Sequence, residues 1–137
     1  MKRLSSKPTV YLIDGSNFSL RFGDAPSAEL ENEFVDWFKT ASALDIMRGS
    51  EFRITFDGPC RRKFPPGLPI IIYYTDSEPA DELLLERGYF MRKTGQRAVI
   101  ISSDRELRER ARRDSILTMT CEQFLSLVQR EIDKYIR

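Results

Sequence analysis

The chain has 137 residues, the size of one domain able to bury its own core. Its 22 basic and 21 acidic residues nearly cancel, so no global field draws it to nucleic acid or membrane, and any such binding must come from local patches. The absence of histidine excludes Ser-His-Asp and Cys-His nucleophiles and imidazole acid–base chemistry, which leaves carboxylates, metal ions and lysine.

Residues 1–8 form a basic lead-in expected to fray, with no apolar signal segment behind it and no membrane-length apolar run in the chain, so the expected location is cytoplasmic. Cys60 and Cys121 lack CxxC spacing and read as reduced thiols. Val10-Tyr11-Leu12-Ile13 is apolar at consecutive positions, the pattern of a parallel strand covered on both faces, and it ends in Asp14-Gly15-Ser16-Asn17. Asp-Gly taken alone is an ordinary turn pair. In an open α/β sheet, however, ligands bind at the carboxyl ends of strands, which makes Asp14 the first candidate for chemistry. Phe18 to Pro26 reads as a loop over the sheet edge. From Ser27, apolar residues at three- and four-residue steps (Leu30, Phe34, Trp37, Phe38, Ala41, Leu44) predict an amphipathic helix ending near Gly49, its aromatic stripe in the core.

Phe52–Asp57 is the second strand and Ile70–Thr75 the third. Between them, Arg61-Arg62-Lys63 beside Phe64 reads either as a phosphate-gripping loop or as a solvated basic one. Pro79 suits a first helical position, and Asp81 and Glu82 stand where the macrodipole alone favours acids, in a helix expected to run to about Phe90. Arg97–Ser102 is the fourth strand, followed by Ser103 and Glu106 at capping-box spacing. The next helix carries Arg105, Arg108, Arg110, Arg112 and Arg113, either a solvated face or the rim of an RNA groove. Ser115–Thr118 is a short fifth strand. Thr120 and Gln123 repeat the capping-box spacing before a closing amphipathic helix through Phe124, Leu127, Val128, Ile132 and Tyr135.

Strands alternating with helices predict a parallel, doubly wound sheet with helices on both faces. Its topology carries Asp14, Asp57, Asp81 and Asp104 to one edge, and if the first and fourth strands are neighbours, Asp14 faces Asp104 across the crevice. Gathered carboxylates repel unless a cation sits among them, and oxygen-only ligands suit Mg2+ or Mn2+. Such a site serves hydrolysis of a phosphodiester. Asn17 could orient a phosphate through its amide, and Arg61, Arg62, Lys63 and Arg105 would surround the acids with positive charge.

Val10 to Asn17 with Asp-Gly-Ser-Asn, Ile54 to Gly58 with Phe-Asp-Gly, Glu78-Pro79-Ala80-Asp81-Glu82, and Ile100 to Glu106 with Ser-Ser-Asp-Arg-Glu together resemble the NYN domain in its YacP-like branch, within the PIN-like nucleases. The resemblance spans roughly residues 9 to 128. It implies a single PIN-like domain over residues 1–137, a five-stranded parallel sheet in order 3-2-1-4-5, and metal-dependent endoribonuclease activity. It further implies Asp14, Asp81 and Asp104 as metal-site acids, Asn17 as a neighbouring polar residue and Asp57 as a second-tier acid, while Asn17, Ser16, Ser103 and Arg105 are expected around the substrate. RNA, free or within a larger RNA-containing particle, would be the partner, with no membrane. Two positions depart from the branch: Ser16 replaces an aromatic, and Glu82 replaces an aspartate on a longer arm. The chain is also short for the branch, so a peripheral substrate-binding element is expected to be absent. The competing readings are a PIN-like binding module without turnover and a phosphohydrolase or receiver-like domain. A haloacid-dehalogenase-type site would want an aspartate where Ser16 stands, and a receiver would want a lysine at the end of a late strand, and Ser115–Thr118 has none.

Overall fold

The computed structural model describes residues 7–23, 27–60 and 69–136, so Arg61, Arg62, Lys63 and most of the N-terminal lead-in lie outside the described residues. Five strands form one all-parallel sheet in the order β3-β2-β1-β4-β5, as the family resemblance implies. The strands are β1 (Val10–Asp14), β2 (Glu51–Phe56), β3 (Ile70–Tyr74), β4 (Ala98–Ile101) and β5 (Leu117–Met119). The helices are α1 (Gly15–Ser19), α2 (Ala28–Ser42), α3 (Ala80–Lys93), α4 (Arg105–Arg113) and α5 (Cys121–Ile136).

β1 is central, hydrogen-bonded to β2 and β4, and every one of its residues is buried. Side chains alternate between faces along a strand, so its unbroken apolar run feeds two cores at once. Tyr11 and Ile13 belong to the cluster with Phe18, Phe34, Phe38 and Phe124 from α1, α2 and α5. Val10 and Leu12 belong to the cluster with Leu84, Met91, Leu107 and Ala111 from α3 and α4.

The first cluster is rich in aromatic rings. Phe18 is fully buried, with its ring 5.3 Å from Phe34, 5.4 Å from Phe38 and 6.2 Å from Phe124. Tilted and edge-to-face pairs of this kind add about 0.5–1.5 kcal/mol each beyond area burial. The stripe read along α2 is therefore core, and Ser27 caps that helix by accepting from the Leu30 N–H at 3.1 Å.

The segment after β1 departs from the loop expected there. Residues 15–19 are helical, and Phe18 is the hub of the aromatic core rather than part of a covering loop. A five-residue helix is too short to show periodicity, which is why its sequence reads as a connection. Gly15 makes the tight junction feasible, because a Cβ there would lie 2.9 Å from Ile54 Cγ2 and from the Phe56 ring. The glycine thus serves close packing of α1 on β2, not the turn that Asp-Gly suggested.

Smaller differences occur at helix ends. Pro79 is the N-cap of α3, which continues to Lys93. At α5 the Thr120 and Gln123 capping box forms in both directions, at 2.8 and 3.0 Å. At α4 it does not: Asp104 is the N-cap, accepting from the N–H groups of Glu106 and Leu107 at 3.0 and 3.3 Å. Ser103 instead faces the start of α5, where its hydroxyl donates to Glu122 and accepts from the Cys121 N–H.

Because the atoms facing Gly15 belong to fully buried side chains that cannot swing away, Gly15→Ala is expected to lower unfolding free energy by about 1–3 kcal/mol. Urea denaturation of the two proteins measures this as a lower midpoint with unchanged slope.

Candidate functional site

The order of strands reverses between β1 and β4, and the register there pairs Ile13 with Ile101. The next residue on each chain, Asp14 and Ser102, therefore emerges side by side at the carboxyl edge. The Ser102 hydroxyl, fully buried, donates to Asp14 Oδ2 at 2.8 Å and accepts from the Asp104 N–H at 3.1 Å. One hydroxyl thus fixes the orientation of Asp14 and the backbone that carries Asp104. Asp14 Oδ1 accepts from the Asn17 N–H at 3.3 Å, capping α1.

Burial pushes the Asp14 carboxyl up to about 6, against the Ser102 and Asn17 hydrogen bonds, and the charges of Asp57 and Asp104 raise it further. Both of those carboxylates are therefore near enough to act on it. Asp57 Oδ1 accepts from the Ala80 N–H at 2.8 Å, tying the end of β2 to the start of α3. Ser16 lies between the two strand ends: its hydroxyl accepts from the Asp57 N–H at 2.8 Å.

Asp81 occupies a different setting. It opens α3, where it accepts from the Glu82 N–H at 2.9 Å and stands 3.8 Å from Arg110 of α4. Arg110 forks onto both oxygens of Glu82, at 2.7 and 3.2 Å, which holds the Glu82 carboxyl below its ordinary range. Glu82, the residue that departs from the family pattern, is thus one half of a clamp between α3 and α4. Arg105 is highly exposed and pairs with Glu109 at 3.0 Å.

Asn17 is turned inward. Its Oδ1 accepts from the Ser103 N–H at 2.9 Å and from the Cys121 thiol at 3.4 Å. Around it, Arg21 donates to Asn17 O and to Glu122, each at 2.8 Å, and Glu122 also accepts from Ser103 at 2.6 Å. The Ser103 hydroxyl and then the Arg21 guanidinium hold the Glu122 carboxyl down to about 2. Burial pushes the Cys121 thiol up, so it is an inert part of this support. Ser102, Arg21 and Glu122 carry no sequence signal of their own, although Ser102 stands two residues before Asp104 at the end of an apolar run.

Among the described residues, no three Asp, Glu, Cys or His side chains form a ready-made metal cage. What the edge does present is an oxygen-only donor set, Asp14 with Asp104, under mutual repulsion that a cation would relieve. This fits a hydrated hard cation such as Mg2+, which is commonly bound through one or two carboxylates and keeps several waters. A cavity of about 710 Å3 between β3 and α3 is lined by Tyr73, Glu78, Glu86, Arg87 and Tyr89 among others. None of Asp14, Asp57, Asp81 or Asp104 lines it.

No protein-family model matches the chain, and no curated protein matches it. Among solved structures it is similar to Rae1 (YacP) from Bacillus subtilis. A mutant form superposes with a TM-score of 0.73 at 14% identity, covering 92% of this chain and 78% of that one. Another structure of Rae1 (YacP) gives a TM-score of 0.70 at 15% identity, covering 91% and 76%. The chain therefore has a YacP-like fold. No helix among the described residues is long and apolar enough to cross a membrane.

Asp14 has an ordinary value of 3.8 and is raised to about 6, so its linkage to stability is unfavourable at neutral pH. Below 3.8 both folded and unfolded forms are protonated and no penalty exists; as pH rises through about 6 the full penalty appears. Asp14→Asn in a buffer with EDTA is expected to be more stable than wild type near neutral pH, by on the order of 2–3 kcal/mol, the gain fading in acid. Thermal melts across pH measure it, and equal stability at neutral pH would show the charge to be already compensated.

Proposed function

We propose that the protein is a divalent-metal-dependent endoribonuclease that hydrolyses RNA phosphodiester bonds at the carboxyl edge of the β1/β4 switch point, and that it acts as a single NYN-type domain of the YacP-like branch. The observation that carries the reading is the Asp14–Ser102–Asp104 bridge, which holds the buried Asp14 within repelling range of the exposed Asp104 where an α/β sheet places its ligands. The four family-like motifs and the fold shared with Rae1 (YacP) support it.

Asp14 and Asp104 would hold Mg2+ or Mn2+, with Asp57 adding negative charge from the adjoining strand. When bound, the ion would activate a water and neutralise charge on the phosphodiester. The protein's own part is to orient: the Ser102 hydroxyl keeps Asp14 in one rotamer, and the α1 turn fixes its other oxygen. Asp81, which the resemblance places in the metal set, would join by leaving Arg110. Asn17 and Ser103 act from behind, seating the Ser103–Asp104 backbone against α1 and α5. Arg61, Arg62 and Lys63 remain candidates for gripping the phosphate backbone.

The pairing of Asp81 with Arg110 favours one second reading, a PIN-like module that binds RNA without turnover. Labelled single-stranded and structured RNAs incubated with purified protein in Mn2+ or Mg2+, against EDTA, separate the two. Asp14→Asn and Asp104→Asn are each expected to lower cleavage by roughly 100-fold or more, as when one group that stabilises transition-state charge is lost. Asparagine caps helices as aspartate does, so both variants should melt as folded proteins. Binding without cutting under any metal would select the module, and full activity in both variants would overturn the site.

A further inference from the structure

The basic residues of this chain are not spread evenly between paired and unpaired. Arg21, Arg48, Arg53, Arg105 and Arg110 all hold carboxylates. Among the described residues, Lys7, Arg87, Arg92, Lys93, Arg97, Arg108, Arg112, Arg113 and Arg130 hold none. Five of these, Arg92, Lys93, Arg97, Arg112 and Arg113, gather where α3 and α4 end and β4 begins, the amino edge of the sheet, opposite the acids.

The macrodipole accounts for cations in the last turns of α3 and α4. It does not account for Arg97, which precedes β4 outside any helix. The Arg97 Nε donates to Thr9 Oγ1 at 3.0 Å, so the side chain is held in place while its terminal nitrogens make no hydrogen bond among the described residues.

Beside it lies a cavity of about 310 Å3 between the α3–β4 and α4–β5 loops, lined by Arg92, Gly95, Arg97, Ser115 and Leu117 among others, with no acid in its wall. Asp114, next to Ser115 in sequence, faces the separate cavity beside Tyr89. Ser115 has φ 59°, an uncommon left-handed conformation for serine. Two guanidinium groups, one of them pinned, around an acid-free hollow are a receptor for phosphate oxygens.

We propose that this pocket binds the phosphate backbone of RNA, as a second contact remote from the acid edge. The inference rests on the RNA reading above and names where a longer substrate is held. Arg97 and Ser102 are five residues apart along β4, roughly 17 Å at about 3.3 Å per residue, so one RNA strand draped over the sheet can reach both sites.

The test is fluorescence anisotropy of a labelled single-stranded RNA across a salt series. Each phosphate contact contributes about 0.7 to the slope of log K against log salt, so Arg92→Gln with Arg97→Gln is expected to flatten the slope by about 1.4. Ser115→Asp, which keeps both arginines and suits a left-handed backbone, should also weaken binding. Should losing the Arg97–Thr9 bond unfold the double variant, Ser115→Asp and Arg92→Gln alone carry the test. Lys39→Gln on α2, whose amine already faces Asp36, should leave the slope unchanged.

An unchanged slope in folded pocket variants, or no RNA binding by wild type, overturns the proposal. So does inorganic pyrophosphate that binds in an arginine-dependent way without displacing RNA, the mark of a small-anion site. Because anisotropy reads binding alone, wild type that binds through this pocket but cuts nothing in the cleavage assay above overturns the nuclease reading alone. Wild type that cuts, with a slope indifferent to all the pocket variants, overturns this inference alone.

Discussion

Burial of β1 on both faces is the constraint on which the site depends. A strand with one wet face would leave its terminal carboxylate hydrated and free to turn. Here β2, β4 and two helical layers surround the strand, and among the described residues only the Ser102 hydroxyl and the Asn17 N–H donate to Asp14. Those two bonds do not offset the desolvation, and the neighbouring acids oppose it further. The packing of the core does not require a charge at this position. A charge that the fold carries against its own stability, at the edge where such sheets place their ligands, makes Asp14 a candidate functional group.

The support behind the acids is built from a different chemistry than the acids themselves. Asn17, Ser103, Cys121, Glu122 and Arg21 form a connected set of hydrogen bonds joining α1, the β4–α4 turn and the start of α5. Each member has its partner, so the set can hold backbone in place where Asp14 cannot. Asp81 stands outside this support, on a helix joined to α4 by Arg110. The β1/β4 acids are thus fixed by the sheet, whereas Asp81 is set by packing between two helices. A local shift of α3 against α4 would change its relation to the other acids without disturbing the sheet.

Most of the architecture was legible because the chain's strong signals agree with one another. Consecutive apolar residues in β1, helical periodicity in α2 and the Thr120–Gln123 box in α5 each point the same way as the structure. The failures fall where two local rules compete. Ser103 and Glu106 have capping-box spacing, but Asp104, one position later, accepts from two N–H groups at once and leaves Ser103 to the start of α5. Asp14-Gly15 reads as a turn, yet the glycine is needed for contact with Ile54 and Phe56, which come from a strand far along the chain and are invisible to local pattern. The supporting roles of Arg21 and Glu122 are likewise long-range, joining residues separated by 101 positions. Strand ends place Asp14, Asp57 and Asp104 together by topology alone, but whether Asp81 joins them depends on a side-chain partner, Arg110, that no spacing rule identifies.

The near-neutral total charge of the chain conceals a separation along the strand axis. Every strand is parallel, so α3 and α4, which return between strands, must both run the opposite way. Their amino ends lie with the acids and their carboxyl ends at the far edge. The dipole of each helix favours acids at its start, as at Asp81, Glu82 and Glu106, and bases at its end, as at Arg92, Lys93, Arg112 and Arg113. The rule that satisfies two helices individually therefore sums, through a parallel topology, to an acidic edge and a basic edge on one small domain. A polyanion approaching this protein meets attraction at the basic edge and repulsion at the acidic one. Cations would reduce that repulsion, so the access of a polyanion to the β1/β4 acids and the occupancy of those acids by a cation would be coupled by charge alone.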